Sequence, residues 1–429
     1  MSNISKNSQA WGELFEKYSI MQAIREDGYF KISASQIKEF REPRLMAKFD
    51  HSKNLPKLFT DNSLAILPTS RGDYVISHFD AYHRLEADCS QIQKAPLPSY
   101  IQSLDCSNIP SEAIALNCAY ASGIIADFME DSNIVATVSG RMSSGQFSFS
   151  IGDIKSGIAR QINVNGSQIE IDAAYEGVES LALLEAKMDL SDDFLVRQLY
   201  YPFRVWQSRV TKPVKPVFLI YSNGIFRLYE YKFVEPNDYN SMVLVKQKNY
   251  SIDDTTITSS DIQTVLEEVT IIGEPERIPF PQADKFERVI NLCELVSSRE
   301  LKKEDVTEEY DFDARQSDYY LAAARYLGLI ERKREGRTSH YLISDEGRRV
   351  LSLGYKQRQL AFCSKILSHE AFNLTLHTYL RSGVMPTKHE IVENMKNAGV
   401  HIGGSENTPE RRSSTIRGWV SWIVSLINE

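Results

Sequence analysis

A chain of 429 residues, 42% hydrophobic and 25% charged, carries enough apolar material for two or three globular units and too much for a disordered protein. Its net charge of −8, taken alone, argues against a polyanionic partner, but acid is concentrated early: 27 Lys and Arg against 36 Asp and Glu before residue 281, and 22 against 21 from there on. No apolar run approaches the roughly 18 residues of a membrane span, the N-terminus lacks the basic-then-apolar layout of a signal peptide, and five single cysteines suggest neither a zinc site nor a disulfide framework; a cytoplasmic protein away from membranes is expected.

Region 1–95 reads as mixed α+β. Ser33 with Gln36 is a capping-box signature that opens a helix, and "LAILPTSRGDYVISHF" reads as two strands about the turn residues Ser70 to Asp73. Between them, "REPRLMAKFDHSKNLPKLF" is basic with interleaved aromatics. It is either a solvated face or a phosphate-contacting one that uses Arg41, Arg44, Lys48, Lys53 and Lys57.

The segment "KAPLPSY" separates this region from a central one, 96–273. Here "PSEAIALNCAYASGIIADFMED" has the spacing of one mostly buried helix. "QFSFSIG", "SQIEIDAAYEG" and "LALLEAKM" follow as strands, then the helix "DDFLVRQLYYPFRVWQSRV", then a hairpin about Asn223-Gly224. This order predicts an α/β arrangement of mixed α+β character, a mixed sheet flanked by helices.

The strand "LALLEAKM" ends in an unexpected way, with Glu185 and Lys187 where apolar residues should continue. Alternate residues of a strand share a face, so these two point the same way. Asp172 lies on the opposite face of its strand from Ile169 and Ile171, and it meets Glu185 and Lys187 if the two strands are neighbours. Two buried carboxylates a few ångströms apart are unfavourable unless something positive sits between them. Hard oxygens suit Mg²⁺, which takes only one or two protein carboxylates and keeps several waters. With an ammonium alongside, this is what phosphodiester hydrolysis requires.

Asp172 followed by Glu185-Ala186-Lys187 resembles the PD-(D/E)XK nuclease family, over about residues 110–233. Ile171 stands where the family often has proline. The resemblance implies a restriction-endonuclease-like fold, with Asp172 and Glu185 as metal ligands and Lys187 as the residue that positions or activates the water. It also implies a catalytic supporting role for Gln198 on the next helix, where Leu199, Phe203 and Trp206 fill the core.

Three prolines in "GEPERIPFPQAD" mark the main boundary. Beyond it, region 282–352 offers three helices and a hairpin about Gly336 dense in Arg332, Lys333, Arg334 and Arg337. This combination resembles a winged helix, which makes Arg315, Gln316 and Ser317 candidates for groove contacts and the hairpin a backbone contact. Region 353–429 reads as a second helical, winged-helix-like unit. Thr387 and Glu390 form a capping box, Thr408 caps a last helix with Pro409 at its first position, and Ile416, Trp419, Val420 and Ile423 form its buried stripe. Arg411, Arg412, Thr415 and Arg417 remain for a groove.

A metal-dependent core joined to such modules resembles a type II restriction endonuclease. That resemblance implies Mg²⁺-dependent, sequence-specific cleavage of double-stranded DNA by a homodimer, with a companion DNA methyltransferase in the same system. The alternatives are a DNA-binding regulator or defence scaffold with an inactive nuclease-like core, and a nuclease acting on branched or modified DNA.

Overall fold

The computed structural model describes residues 6–86, 91–106, 109–309, 314–336, 338–400 and 408–428. Arg337 and Cys89, and the side chain of Thr408 with its expected cap, lie outside them. The fold is mixed α+β, and the chain divides into two compact units. The first comprises Met1–Gln91, Ser111–Tyr221 and Phe226–Asn249, and the second Ile92–Pro110, Ser222–Ile225 and Tyr250–Glu429. Regions expected as separate, 1–95 and 96–273, thus contribute mostly to one unit. No helix among the described residues is long and apolar enough to cross a membrane.

In the first unit, helices Lys6–Lys17 and Ile20–Asp27 precede three antiparallel strands, Phe30–Ser33, Ala65–Pro68 and Asp73–Ser77, with the last in the middle. Trp11, Phe15 and Phe59 pack edge-to-face with centroids 4.8–6.0 Å apart and anchor this subcore. The Ser33–Gln36 capping box forms as expected.

A large mixed sheet follows. Among the described residues, six of its seven strands run in the spatial order Met242–Ser251, Ile225–Phe233, Val214–Ser222, Leu181–Lys187, Gln168–Glu176, Val135–Ser143. Leu181–Lys187 is interior, parallel to Val214–Ser222 and antiparallel to Gln168–Glu176. Asn223 and Gly224 both adopt positive φ, 54° and 76°, as a two-residue hairpin turn requires. On one side of the alternation Tyr175 donates its hydroxyl to the Leu116 carbonyl of helix Glu112–Ala121. Leu181 and Leu183, on the other side, pack with Trp206 of helix Arg197–Gln207.

Two expectations change here. The single helix expected over 110–131 is broken into Glu112–Ala121 and Ile124–Met129, because Gly123 takes a left-handed φ of 78° that a continuing helix does not allow. "QFSFSIG" does not join the sheet: Gln146–Ile151 pairs with Arg160–Asn165 in its own ribbon, and the sheet edge is instead Val135–Ser143, whose mostly exposed residues carry no alternating signal.

The second unit holds helices Phe286–Ser298, Lys303–Glu309 and Ala314–Tyr326. Between the first two, the short strand Leu301–Lys302 pairs with Thr338–Ile343, which in turn pairs with Ile330–Glu335. Helices Ser259–Glu268, Asp345–Leu351, Tyr355–Leu367, Glu370–Ser382, Lys388–Asn397 and Thr408–Ser425 also belong to it. No boundary falls at 352: Phe286 lies 5.9 Å from Phe362 and 5.0 Å from Trp419, and Trp419 stacks on Phe372, so both expected C-terminal regions share one core. Ile416, Trp419, Val420 and Ile423 are fully buried, as the helical spacing requires. The proline-rich stretch is not a loose linker. Trp419 Nε1 donates to the Ala283 carbonyl at 2.6 Å, and a methyl added at Gly418 would sit 2.1 Å from the Asp284 carbonyl oxygen.

Candidate active site

The ladder between Gln168–Glu176 and Leu181–Lys187 is in register from Leu181↔Glu176 to Leu184↔Ala173 and stops there. On its other side Gln168–Glu176 shifts register against Val135–Ser143 between Ile171 and Ala174, so an irregularity falls at Asp172. The strands separate at that point, and side chains take over from backbone pairing. Asp172 Oδ2 accepts from the backbone N–H of Ala186 at 2.8 Å. Beyond this opening, Glu185 and Lys187 project on one face. Lys187 Nζ donates to Glu185 Oε1 at 2.8 Å, and Gln198 Nε2 donates to the same oxygen at 2.6 Å. Asp172, Glu185, Lys187 and Gln198 are therefore brought together. Glu170, Glu185, Gln198 and Pro202, among others, line a shallow surface depression beside this cluster.

Electrostatics here are set by burial. Desolvation pushes the Glu185 carboxyl up to about 8, although the Lys187 ammonium pulls it the other way, and Asp172 nearby adds to the rise. Asp172 is also raised, chiefly by burial, against the opposing pull of the Ala186 N–H and Lys187. Burial tends to lower the Lys187 amine, but the Glu185, Asp50 and Glu112 carboxylates outweigh it and hold the amine well above its ordinary value.

Sequence reasoning missed several members of this cluster. Glu112, the first residue of its helix, is raised chiefly by burial and feels Lys187, Asp172 and Asp189. Asp50 lies between Lys187 Nζ and Lys48 Nζ, its Oδ2 3.6 Å from each. His51 is 2% exposed, with Nε2 3.1 Å from Asp189 Oδ2. An acid in a helix's first turn is ordinary, because the helix dipole favours it, and Asp50-His51 lies inside a stretch that reads as a basic face. Neither carried a distinguishing signal. Of that face, Lys48 is exposed and felt electrostatically at Asp172 and Glu112, which puts it at the rim of the cluster. Arg44 and Lys57 are exposed. Arg41 donates to Asn7 and Lys53 pairs with Asp192 at 2.6 Å, so both are engaged within the fold.

In the second unit, three groove candidates are overturned. Ser317 is fully buried and shares a hydrogen bond with Thr307. Thr415 is 1% exposed. Arg412 turns inward, donates to the Phe280 carbonyl and is lowered by burial. All three lie on the buried stripes of their helices: Ser317 precedes Leu321 and Ala324 at helical spacing, as Arg412 and Thr415 precede Ile416 and Trp419. Arg315 is exposed and lies over the Tyr319 ring, Gln316 is half-buried, and Arg332, Arg334, Arg411 and Arg417 are exposed.

Among the described residues no three His, Cys, Asp or Glu side chains are grouped to hold a metal ion. The donor chemistry still fits a Mg²⁺ ion held by two carboxylates with water completing its coordination. Asp172 and Glu185 are hard oxygen donors whose ionised forms burial disfavours, and a nearby divalent cation would reverse that.

Three family models match the chain, each described as a domain of unknown function: DUF6996 over residues 8–76, DUF6997 over 77–251 and DUF7226 over 288–428. The Asp172, Glu185 and Lys187 cluster falls within the second match, whereas Lys48, Asp50 and His51 fall within the first. No curated protein and no solved structure matches the chain.

Proposed function

We propose that the first unit is a Mg²⁺-dependent deoxyribonuclease core of the PD-(D/E)XK type, and that the whole chain acts as a type II restriction endonuclease on double-stranded DNA. The observation that carries this reading is the meeting of Asp172, Glu185 and Lys187 where an interior ladder opens. A buried carboxylate and ammonium, Glu185 and Lys187, meet the half-buried Asp172 carboxylate there, away from any edge where charge would be cheap.

Asp172 and Glu185 would hold the cation, which when bound supplies charge neutralisation for the phosphoryl oxygens and lowers the pKa of water. The chain's own residues do the rest. The Ala186 N–H orients the Asp172 carboxylate, and Gln198 orients that of Glu185. Glu185 must lose its proton before it can act as a ligand, so competence increases as pH rises toward 8. Lys187 keeps its ammonium within the cluster, from where it orients a water for attack on phosphorus and stabilises the charge that builds on the phosphoryl oxygens. Lys48 at the rim offers a phosphate contact.

In the second unit, the order helix, short strand, two helices and hairpin supports a winged-helix reading, with Arg332 and Arg334 of the hairpin and Arg315 on the preceding helix as DNA contacts. Sequence-specific cutting of both strands is most simply done by a homodimer, and a companion methyltransferase would protect host sites. A cytoplasmic location belongs to the same reading.

The test is incubation with unmethylated and methylated phage or plasmid DNA and Mg²⁺, followed by sequencing of fragment ends. Discrete ends that share a motif support it. A random smear reassigns the core to nonspecific cleavage, and no cleavage of any DNA leaves a DNA-binding scaffold.

A further inference from the structure

We propose that Asp50 is a positioning residue that takes over the Lys187 amine when Glu185 takes up a divalent cation; the inference rests on the nuclease reading above. Glu185 Oε1 is crowded, with Lys187 Nζ at 2.8 Å and Gln198 Nε2 at 2.6 Å. An ammonium and a divalent cation compete for the electron pairs of one carboxylate. If the cation displaces the amine, a buried ammonium is left without a partner, which is costly unless an acceptor is already in place. Asp50 is that acceptor. Its Oδ2 is 3.6 Å from Lys187 Nζ, and its Oδ1 is buried and accepts no hydrogen bond. Its charged form is favoured: burial, which opposes ionisation, is outweighed by Lys187, Lys48, His51 and Arg197.

Asp50 is also fixed in place. Its carbonyl accepts from the Leu195 N–H at 2.9 Å. His51 Nδ1 is 2.6 Å from the Asp193 carbonyl, the Ser52 N–H donates to Asp193 Oδ1 at 3.0 Å, and Lys53 pairs with Asp192. The coil that carries Asp50 is thus fastened to Asp192 and the short strand Asp193–Leu195, which follow the Glu185–Lys187 strand. Residue 50 belongs to the 8–76 match and Lys187 to the 77–251 match, so the site is completed by a segment outside its own core.

The experiment measures Mg²⁺ affinity by titration calorimetry on the full chain without DNA, alongside melting temperature. Asp50→Asn is expected to weaken Mg²⁺ binding by about tenfold, Asp50→Glu to restore most of it, and Asp50→Asn to have no further effect in a Lys187→Met background. Lys187→Met alone is expected to tighten binding, because Glu185 loses its competitor; unchanged or weaker binding overturns the proposal, and this arm stands even if Asp50→Asn does not fold. A folded Asp50→Asn that binds as tightly as wild type overturns it, as does an equal loss in the Lys187→Met background, which would make Asp50 a ligand. Wild type that neither binds Mg²⁺ nor cleaves DNA would instead remove the nuclease reading itself.

Discussion

The strands Leu181–Lys187 and Ile330–Glu335 are nearly the same length, and both carry charge, but they hold it in opposite surroundings. The first is buried at all seven positions, Glu185 and Lys187 included, while the second buries only Ile330 and gives Glu331, Arg332, Lys333, Arg334 and Glu335 to solvent. Charge on an exposed strand costs little and is screened by salt. Charge on an interior strand opposes folding and persists only where its neighbours compensate it. The comparison separates a candidate reaction centre from a candidate contact surface without reference to any relative.

The sharpest way to break that contrast is Lys187→Ala. Cleavage is expected to fall by roughly 10²–10³-fold or more, measured as single-turnover nicking of supercoiled plasmid, while gel retardation of DNA persists. Undiminished cleavage would put the reaction elsewhere. Next, Glu185→Gln combined with Lys187→Met removes the buried ion pair but keeps its volume. That variant should be inactive and yet unfold at the same or a higher temperature, up to about 1–4 kcal/mol more stable; marked destabilisation would make the pair a structural device.

The pH dependence is more graded. Burial raises the Glu185 carboxyl from 4.5 to about 8, so between those values the folded chain holds a proton that the unfolded chain has released. Without cation, stability should therefore fall as pH rises through this window and level off above it, and Mg²⁺ affinity should rise over the same range. Denaturant melts and calorimetry at several pH values check both, with Glu185→Gln expected to flatten the stability curve. The smallest effect belongs to the exposed strand. Arg332→Ala with Arg334→Ala should leave stability within about 0.5 kcal/mol and turnover at saturating DNA unchanged, but reduce the salt dependence of binding by up to about two phosphate contacts. An unchanged salt slope would reassign the hairpin to protein contacts.

Asp172, Glu185 and Lys187 were legible because a period of two decides which side chains share a face, and the strand neighbours follow from chain order. Gln198 was reached through the family resemblance, since its helix follows the Glu185–Lys187 strand only after the short strand Asp193–Leu195. Glu112, Asp50 and His51 were not, since coil and helix-start residues reach the cluster through tertiary contacts that no local period encodes. Ser317, Arg412 and Thr415 were misread for a different reason: their own helical spacing already set them on the apolar stripe, and polarity was weighed above position. The break at Gly123 shows the converse, one residue's left-handed backbone overriding an otherwise continuous apolar pattern.

The fastening of the proline-rich stretch to the last helix has an evolutionary consequence. Residues 273–284 look like a joint at which gene segments could be exchanged, yet Ala283 and Asp284 seat Trp419 and Gly418 from far along the chain. A recombination event at that joint would part a socket from its plug. The two halves of the second unit should therefore be inherited together, with residue 418 tolerating almost nothing larger than hydrogen.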